Sequence, residues 1–117
     1  MAHKDDLGRR GEEIAATWLE QRDMTVIARN WRCSAGEIDI ILRDGTTTVF
    51  AEVKTRSSTA FGHPFEAITP IKAGRLRRLA AEWCRANPGS EEIRIDVVAV
   101  LDAWSANPSI EHLTGAV

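Results

Sequence analysis

The chain has 117 residues, 44% of them hydrophobic and 27% charged, with a formal net charge of −2. This composition is typical of one globular domain over 1–117 and excludes an intrinsically disordered chain. No apolar run approaches the 18 residues of a membrane span. The first six residues lack the apolar segment of a secretory signal, so we expect a cytoplasmic protein without a membrane association. The two cysteines and three histidines match no zinc-ligand spacing, which predicts free thiols.

The first predicted element is a helix over about 5–22. At about 100° per residue, its apolar side chains fall on one arc, close to which Glu12 lies, while Glu13 faces the opposite way. We therefore expect Glu12 to lean toward the sheet on which the helix packs. There it is either a boundary residue of a salt bridge or part of a site. The arc comprises Leu7, Gly11, Ile14, Ala15, Trp18 and Leu19.

A β-hairpin is the most informative part of the sequence. A strand over 24–31 leads through a turn over 30–36 into two apolar runs, 38–42 and 49–53, separated by Asp, Gly and Thr. Each run carries charge where a strand would normally bury apolar side chains: Asp39 in the first, and Glu52 and Lys54 at the second. Because side chains alternate along a strand, Glu52 and Lys54 share a face.

The length of the hairpin loop decides whether Asp39 joins them. A loop over 44–47, with Arg43 facing Thr48, places Asp39 directly opposite Glu52. A two-residue loop over 44–45 places it diagonally on the same face, and a three-residue loop turns it to the other face. In two of these three registers the carboxylates and the ammonium group converge within roughly 5–8 Å.

Two carboxylates at that separation raise each other's pKa unless a cation lies between them. Mg²⁺ prefers oxygen ligands and is bound through one or two carboxylates, water and phosphate oxygens. The pattern of Asp39, Glu52 and Lys54 therefore predicts a metal-dependent phosphodiesterase site. The alternative, equally favoured by the spacing alone, is an ordinary cross-strand charge cluster on a solvated face.

The chain after the hairpin predicts a loop over 57–64 and a second helix. In the loop, residues 61–64 are either a hinged cover over the site or a plain connection, with His63 structural or solvated. The helix is capped by Thr69, starts at Pro70, and stops at 87–89. Lys72 falls at the azimuth of the apolar stripe, so it either extends past the helix end or points at the carboxylates.

Positive charge is concentrated between residues 53 and 86, a segment with seven Lys or Arg and only two Glu. An excess of this kind suits a phosphate backbone. A solvated helical face is the other interpretation. The candidate phosphate-binding residues are Arg32, Arg56, Lys72, Arg75 and Arg78.

The last predicted strands cover 93–101 and 110–113. The first contains a run of consecutive apolar residues, typical of a strand buried on both sides of a sheet. Asp96 within it either borders the site or pairs with neighbours of Arg94. The predicted order is α-β-β-β-α-β-β.

Short motifs spread over nearly the whole chain together resemble the bacterial YraN (UPF0102) family. That family is similar to archaeal Holliday junction resolvases and belongs with the PD-(D/E)XK nucleases. The resemblance rests on the order and spacing of the motifs, although Ile38 stands where the nucleases often have proline. The motifs are Gly8-x2-Gly11-Glu12-x2-Ala15, Asn30-x-Arg32, Gly36-Glu37-Ile38-Asp39, Glu52-Val53-Lys54-x-Arg56, Phe61-Gly62-x-Pro64 and Asp96-Val97-Val98.

The resemblance implies a restriction-endonuclease-like α/β sandwich with a central mixed five-stranded sheet flanked by helices. It implies Glu12, Asp39, Glu52 and Lys54 as active-site residues. With it, we expect Mg²⁺ or Mn²⁺, and no small-molecule cofactor, bound by Asp39, Glu52, the carbonyl of Val53 and Glu12.

The leading functional hypothesis is therefore a Mg²⁺-dependent endonuclease acting on DNA, with branched DNA of Holliday-junction type as a candidate substrate. Cutting two strands would require a homodimer, because one chain presents one site. Two alternatives stay open. One is a catalytically silent module that binds nucleic acid or protein, which the acidic pI of about 5.9 favours. The other is a nuclease directed at RNA, which would use the same residues.

Overall fold

The fold is built on a five-stranded sheet with one helix on each face. A computed structural model describes residues 2–57 and 63–117. The elements follow the predicted order α-β-β-β-α-β-β, with a short 3₁₀ helix, Pro64–Ala67, before the second α-helix. Their bounds are α1 Ala2–Glu20, β1 Thr25–Cys33, β2 Gly36–Asp44, β3 Thr47–Arg56, α2 Pro70–Ala86, β4 Glu92–Leu101 and β5 Ser109–Leu113.

The strands lie in the order β1-β2-β3-β4-β5. Only the β3–β4 pair is parallel, and the other three pairs are antiparallel. A parallel pair needs a crossover connection, which α2 supplies between β3 and β4. The α/β fold with a central mixed sheet flanked by helices is thereby confirmed.

Each helix covers its own apolar core. The buried side of α1, including Ala15 and Leu19, packs against Ile40, Val49 and Val98. On the opposite face, Trp83 of α2 packs edge-on against Phe50, with 5.6 Å between the ring centroids. Strand β4 contributes to both cores and is buried from Ile95 to Leu101, as its apolar run predicts.

Several predicted boundaries differ from the observed ones. Helix α1 begins and ends earlier than the predicted 5–22: it ends at Glu20, and the chain then turns through residues 21–23, where Asp23 has φ of 67°. Strand β1 continues to Cys33, so the predicted turn over 30–36 shrinks to two residues. In the hairpin, Arg43 faces Thr48, which confirms the register of the predicted 44–47 loop, but Asp44 also pairs with Thr47, so the loop itself is two residues shorter. The turn is Gly45-Thr46, and Gly45 adopts φ of 63°, which glycine tolerates.

The described helices include none long and apolar enough to cross a membrane. Residues 58–62, which contain most of the predicted loop and the Phe61-Gly62 pair, lie outside the described part of the chain.

Candidate active site

The hairpin register brings Asp39 to β3. Arg43 pairs with Thr48 and Ile40 with Ala51, the register that places Asp39 opposite Glu52. At this point the carboxylate of Asp39 enters the ladder, since its Oδ2 accepts a hydrogen bond of 2.8 Å from the backbone N–H of Val53. A side-chain oxygen of β2 thus binds the N–H of β3 one residue beyond Glu52, and it holds Asp39 against that strand.

Glu52 and Lys54 lie side by side on the α2 face of β3, as the alternation of the strand predicts. The Lys54 Nζ is 3.0 Å from the Glu52 Oε2. Glu52 is buried, with 8% of its surface exposed. An ion pair with that little solvent is costly to form unless its geometry is good, which is typical of a functional site more than of a surface pair.

Glu12 reaches the site because α1 approaches β3 closely. Gly11 lies directly against Thr55, and a Cβ at this position would overlap the Thr55 side chain. The absence of a side chain therefore sets the height of α1 above the sheet. Glu12 is half-buried next to this contact, whereas Glu13 is exposed and pairs with Arg29. This confirms the predicted orientations of the two glutamates.

Asn30 orients Glu12, a role that the sequence interpretation missed. The Asn30 Nδ2 donates a hydrogen bond of 2.9 Å to the Glu12 Oε1. Asn30 has φ of 51°, a left-handed conformation that asparagine adopts more readily than most residues. An asparagine inside an otherwise alternating strand, where its β-propensity is low, was the available signal.

The electrostatics of Asp39 show how closely the acids are grouped. Burial is the largest effect, and with the nearby charge of Glu52 it raises the pKa of Asp39 from 3.8 to about 8. Glu12 and Glu37 also contribute to this rise, and the hydrogen bond from Val53 opposes it. Carboxylates from α1 and β3 therefore lie close enough to Asp39 on β2 to affect its pKa.

Lys72 points toward the same place. Trp83 packs against Phe50, and α2 runs back along β3. Lys72 is about 16 Å from Trp83 along the helix, and Lys54 is about 13 Å from Phe50 along the strand. The two lysines therefore lie at a similar level. The Lys54 ammonium group, together with burial, lowers the pKa of Lys72, and Glu52 opposes this effect. These effects place Lys72 near Lys54 and Glu52, which favours the predicted orientation toward the carboxylates.

The donor chemistry of the site fits a hard divalent cation. Asp39, Glu52 and Glu12 supply carboxylate oxygens, the ligands that Mg²⁺ prefers, and each carboxylate has lone pairs beyond those engaged by Val53, Lys54 and Asn30. As these side chains stand, no three metal-binding groups within residues 2–57 and 63–117 are arranged around a common point. A site made from one or two carboxylates and several waters would suit this arrangement.

The predicted phosphate-binding residues are spread around the site. Arg32 is highly exposed, with its Nε 3.5 Å from the Glu37 Oε2. Arg56 is half-buried, and its Nη1 donates to the Thr55 carbonyl oxygen. Arg75 and Arg78 are exposed on α2, and Arg75 lies near enough to affect the pKa of Lys72. Each has solvent on at least one side, so each remains a candidate.

Asp96 and His63 lie outside this group. Asp96 is completely buried and bonds with Arg94 and His112, so it pairs within β4 and β5 instead of bordering the site. His63 caps the 3₁₀ helix by accepting from the Phe65 N–H at its Nδ1. Its Nε2 lies 2.9 Å from the Glu111 Oε1, outside hydrogen-bonding geometry. Both roles are structural.

Comparison with known proteins places this arrangement in a family. Residues 11–100 match the model of the "Uncharacterised protein family UPF0102", a range that includes Glu12, Asp39, Glu52 and Lys54. A UPF0102 protein of Leifsonia xyli subsp. xyli is 62% identical over 118 residues, covering 100% of both chains. UPF0102 proteins of Arthrobacter sp. and Streptomyces griseus are 56% and 52% identical, each with 98% of both chains covered.

Proposed function

The chain belongs to the UPF0102 family, and we propose that it is a Mg²⁺-dependent endonuclease that hydrolyses phosphodiester bonds in DNA. The observation that supports this most directly is the position of Asp39 among other carboxylates: burial, and after it the charge of Glu52, raises its pKa to about 8. Perturbed titratable groups with a specific charged partner are a mark of functional sites. The excess of carboxylate at one half-buried point would be relieved by a bound cation.

In this proposal, Asp39 and Glu52 hold the metal with the carbonyl oxygen of Val53, and Glu12 holds it directly or through water. When bound, the metal supplies a Lewis acid for the scissile phosphate and lowers the pKa of a water molecule. The hydrogen bond from the Val53 N–H keeps Asp39 against β3. Asn30 holds Glu12 in the same way, so the acids are positioned before substrate arrives.

Lys54 provides the positive charge beside the reacting phosphate. Its ammonium group is held by Glu52 at 3.0 Å, where it can donate to an attacking water or to the oxygens on which charge accumulates. Lys72 adds a second ammonium group from the first turn of α2. Arg32, Arg56, Arg75 and Arg78 would hold flanking phosphates, which positions DNA without reading its sequence.

The test is cleavage of linear, flapped and four-way DNA with Mg²⁺ or Mn²⁺. We expect Asp39→Ala and Lys54→Ala each to lower the rate by about 10²–10³-fold or more, a loss typical of removing a group that stabilises the transition state. Asp23→Asn is the matched control, since Asp23 is exposed at φ of 67°, which asparagine also tolerates. It should cleave like the wild type.

The opposite result would support a silent binding module. If the wild type, Asp39→Ala and Lys54→Ala behave alike on every substrate, the endonuclease proposal is wrong. Calorimetric titration with Mg²⁺ gives an independent reading, because Glu52→Gln removes one of the two proposed metal-binding carboxylates. Metal affinity that is unchanged in Glu52→Gln would remove Glu52 from the metal site.

A further inference from the structure

Trp104 differs from the other tryptophans in its contacts with solvent. Trp83 is buried against Phe50, and Trp18 and Trp31 are half-buried. Trp104 is 62% exposed and lies in the loop between β4 and β5. A single exposed apolar residue is common on protein surfaces, so exposure alone carries no functional meaning. Two features of its surroundings give it one.

The first feature is that the turn carrying Trp104 is fixed on both sides. Asp102 donates its N–H to the Arg56 carbonyl oxygen, at 3.0 Å, and accepts from the N–H and hydroxyl of Ser105. The Ala103 side chain is fully buried in the core under α1, and its carbonyl oxygen accepts from the Arg10 Nε at 3.2 Å. A large aromatic ring is thus presented to solvent by a turn that is anchored to α1 and β3.

The second feature is where this turn lies. Its anchor, Arg56, follows Glu52 and Lys54 along β3, so the turn is roughly 13 Å from Glu52 at about 3.3 Å per residue. The other anchor, Arg10, belongs to the same turn of α1 as Glu12. Trp104 is therefore at the end of the strands where the candidate active site lies, and the step along β3 from Glu52 to the anchor of its turn equals about four nucleotides at 3.4 Å each.

The charges around the turn favour an anionic partner. Arg10 and Arg56 contact it, and Arg10 is exposed. One acid, Asp102, lies in the turn itself. These residues together carry one net positive charge beside a flat apolar surface. Aromatic rings beside cationic side chains are the common means of binding single-stranded nucleic acid, where bases stack on the ring and the backbone follows the charge.

We propose that Trp104 is a stacking surface for an unpaired DNA base, so that the site acts on DNA with single-stranded nucleotides next to the cut. The assignment of substrate rests on the proposed nuclease function, whereas the stacking contact does not. In a continuous duplex every base is already stacked on its neighbours and none is available to Trp104. Flapped, frayed or branched DNA exposes such bases.

Binding without metal tests the contact separately from cleavage. In EDTA, fluorescence anisotropy would compare a 12-nucleotide single strand with a duplex of the same sequence, for the wild type, Trp104→Ala and Trp104→Phe. We expect Trp104→Ala to bind the single strand about tenfold more weakly and the duplex less than twofold more weakly, since loss of one base–aromatic stack has about this effect. Trp104→Phe keeps a ring and should retain most of the affinity.

Two further measurements make the result specific to stacking. The slope of log K against log salt should be the same for Trp104→Ala and the wild type, because no phosphate contact is lost. Wild-type tryptophan fluorescence should fall on binding the single strand, and Trp104→Phe should lose most of that change. Ile93→Ala is the matched control. Ile93 is likewise an exposed apolar residue, but it lies at the start of β4, whereas the Trp104 turn follows the end of β4. This variant should bind like the wild type.

The inference is overturned if Trp104→Ala binds the single strand like the wild type, if it weakens single strand and duplex equally, or if the wild type binds no single strand. These outcomes are distinguishable from failure of the nuclease proposal. A protein that cleaves nothing in Mg²⁺ but loses single-strand binding in Trp104→Ala would keep the stacking contact and discard the catalysis.

Discussion

Two buried carboxylates of the same sheet, Asp96 and Asp39, have opposite electrostatic environments. Asp96 is the more deeply buried, with 0% of its surface exposed, and yet its pKa is lowered. Burial alone would raise this pKa, but hydrogen bonds from His112, Arg94 and the Gly115 N–H outweigh the effect. Each Asp96 oxygen has two partners, at 2.7–3.0 Å, so its four lone pairs are all engaged.

Asp39 has more solvent but fewer compensating donors. It accepts from the Val53 N–H, and its nearest charged neighbours include Glu52 and Glu12. Burial does not by itself mark a functional carboxylate. The informative quantity is charge that the protein's own donors leave uncompensated, because a ligand can then supply the compensation. Asp96 stabilises the fold, whereas in the proposed function Asp39 would bind a cation.

The largest expected loss of stability is on the Asp96 side of this comparison. Asp96→Asn should lower the free energy of unfolding by about 3–5 kcal/mol, because it removes the fully buried charge that Arg94 and His112 bind and turns an amide N–H₂ toward donors. Denaturant unfolding at pH 7 measures it. A change below about 1 kcal/mol would mean that Asp96 is not the centre of a stabilising network.

Asp39→Asn should have the opposite sign in metal-free protein. An acid whose pKa is 3.8 when unfolded and about 8 when folded keeps its proton in the folded state while the unfolded chain loses it. The free energy of unfolding therefore falls as the pH rises from about 4 to about 8, and levels off above. Because each pKa unit corresponds to about 1.4 kcal/mol, removing the ionisable group should stabilise the protein by several kcal/mol at pH 8 and by little at pH 4.

Unfolding of wild type and Asp39→Asn across this pH range, in EDTA, measures the difference. Asparagine still offers an oxygen to the Val53 N–H, so the hydrogen bond is a common factor. If Asp39→Asn destabilises the protein equally at pH 4 and pH 8, Asp39 is a structural residue like Asp96. The contrast between the two carboxylates would then be wrong.

How well the sequence predicted each of these two environments depends on how far apart in the chain its residues lie. Asp39, Glu52 and Lys54 lie on adjacent strands of one hairpin, where alternation and the register options limit the arrangements to a few. The orientation of Glu12 toward the sheet was predictable from its azimuth on α1, since the helix has one apolar stripe. The fold itself was predictable because each element carries its own period and end signals.

What the sequence left open requires contacts between distant elements. The hairpin loop was left with three possible lengths, because both Asp44-Gly45 and Gly45-Thr46 are acceptable turns, and only the observed register selects among them. The hydrogen bond from Asn30 to Glu12 depends on the packing of α1 on the sheet, which the sequence does not specify. The same holds for Asp96, whose role became decidable only when β5 brought His112 beside it. Local patterns do not contain that information.

A smaller effect tests which neighbour matters most to Asp39. After burial, Glu52 contributes more than Glu12 to the raised pKa. Glu52→Gln should therefore lower the pKa of Asp39 more than Glu12→Gln does, by on the order of 1 kcal/mol in the free energy of ionisation. Carboxyl NMR titration of Asp39 measures both. Equal pKa values in the two variants would contradict the arrangement, and the part caused by burial should persist in each.

The smallest expected effect concerns cations instead of carboxylates, and the same distinction between compensated and uncompensated charge applies. Arg85 and Arg78 are both exposed on α2. The Arg85 Nη1 lies 2.7 Å from the Glu82 Oε1, which compensates the charge of Arg85. If α2 follows a phosphate backbone, Arg78→Gln should reduce the slope of log K for DNA against log salt by about one. Arg85→Gln is the matched control and should change the slope less, because Glu82 already compensates its charge. Equal slopes for the wild type and both variants would make α2 a solvated face, and DNA would then be held by the residues of the strands alone.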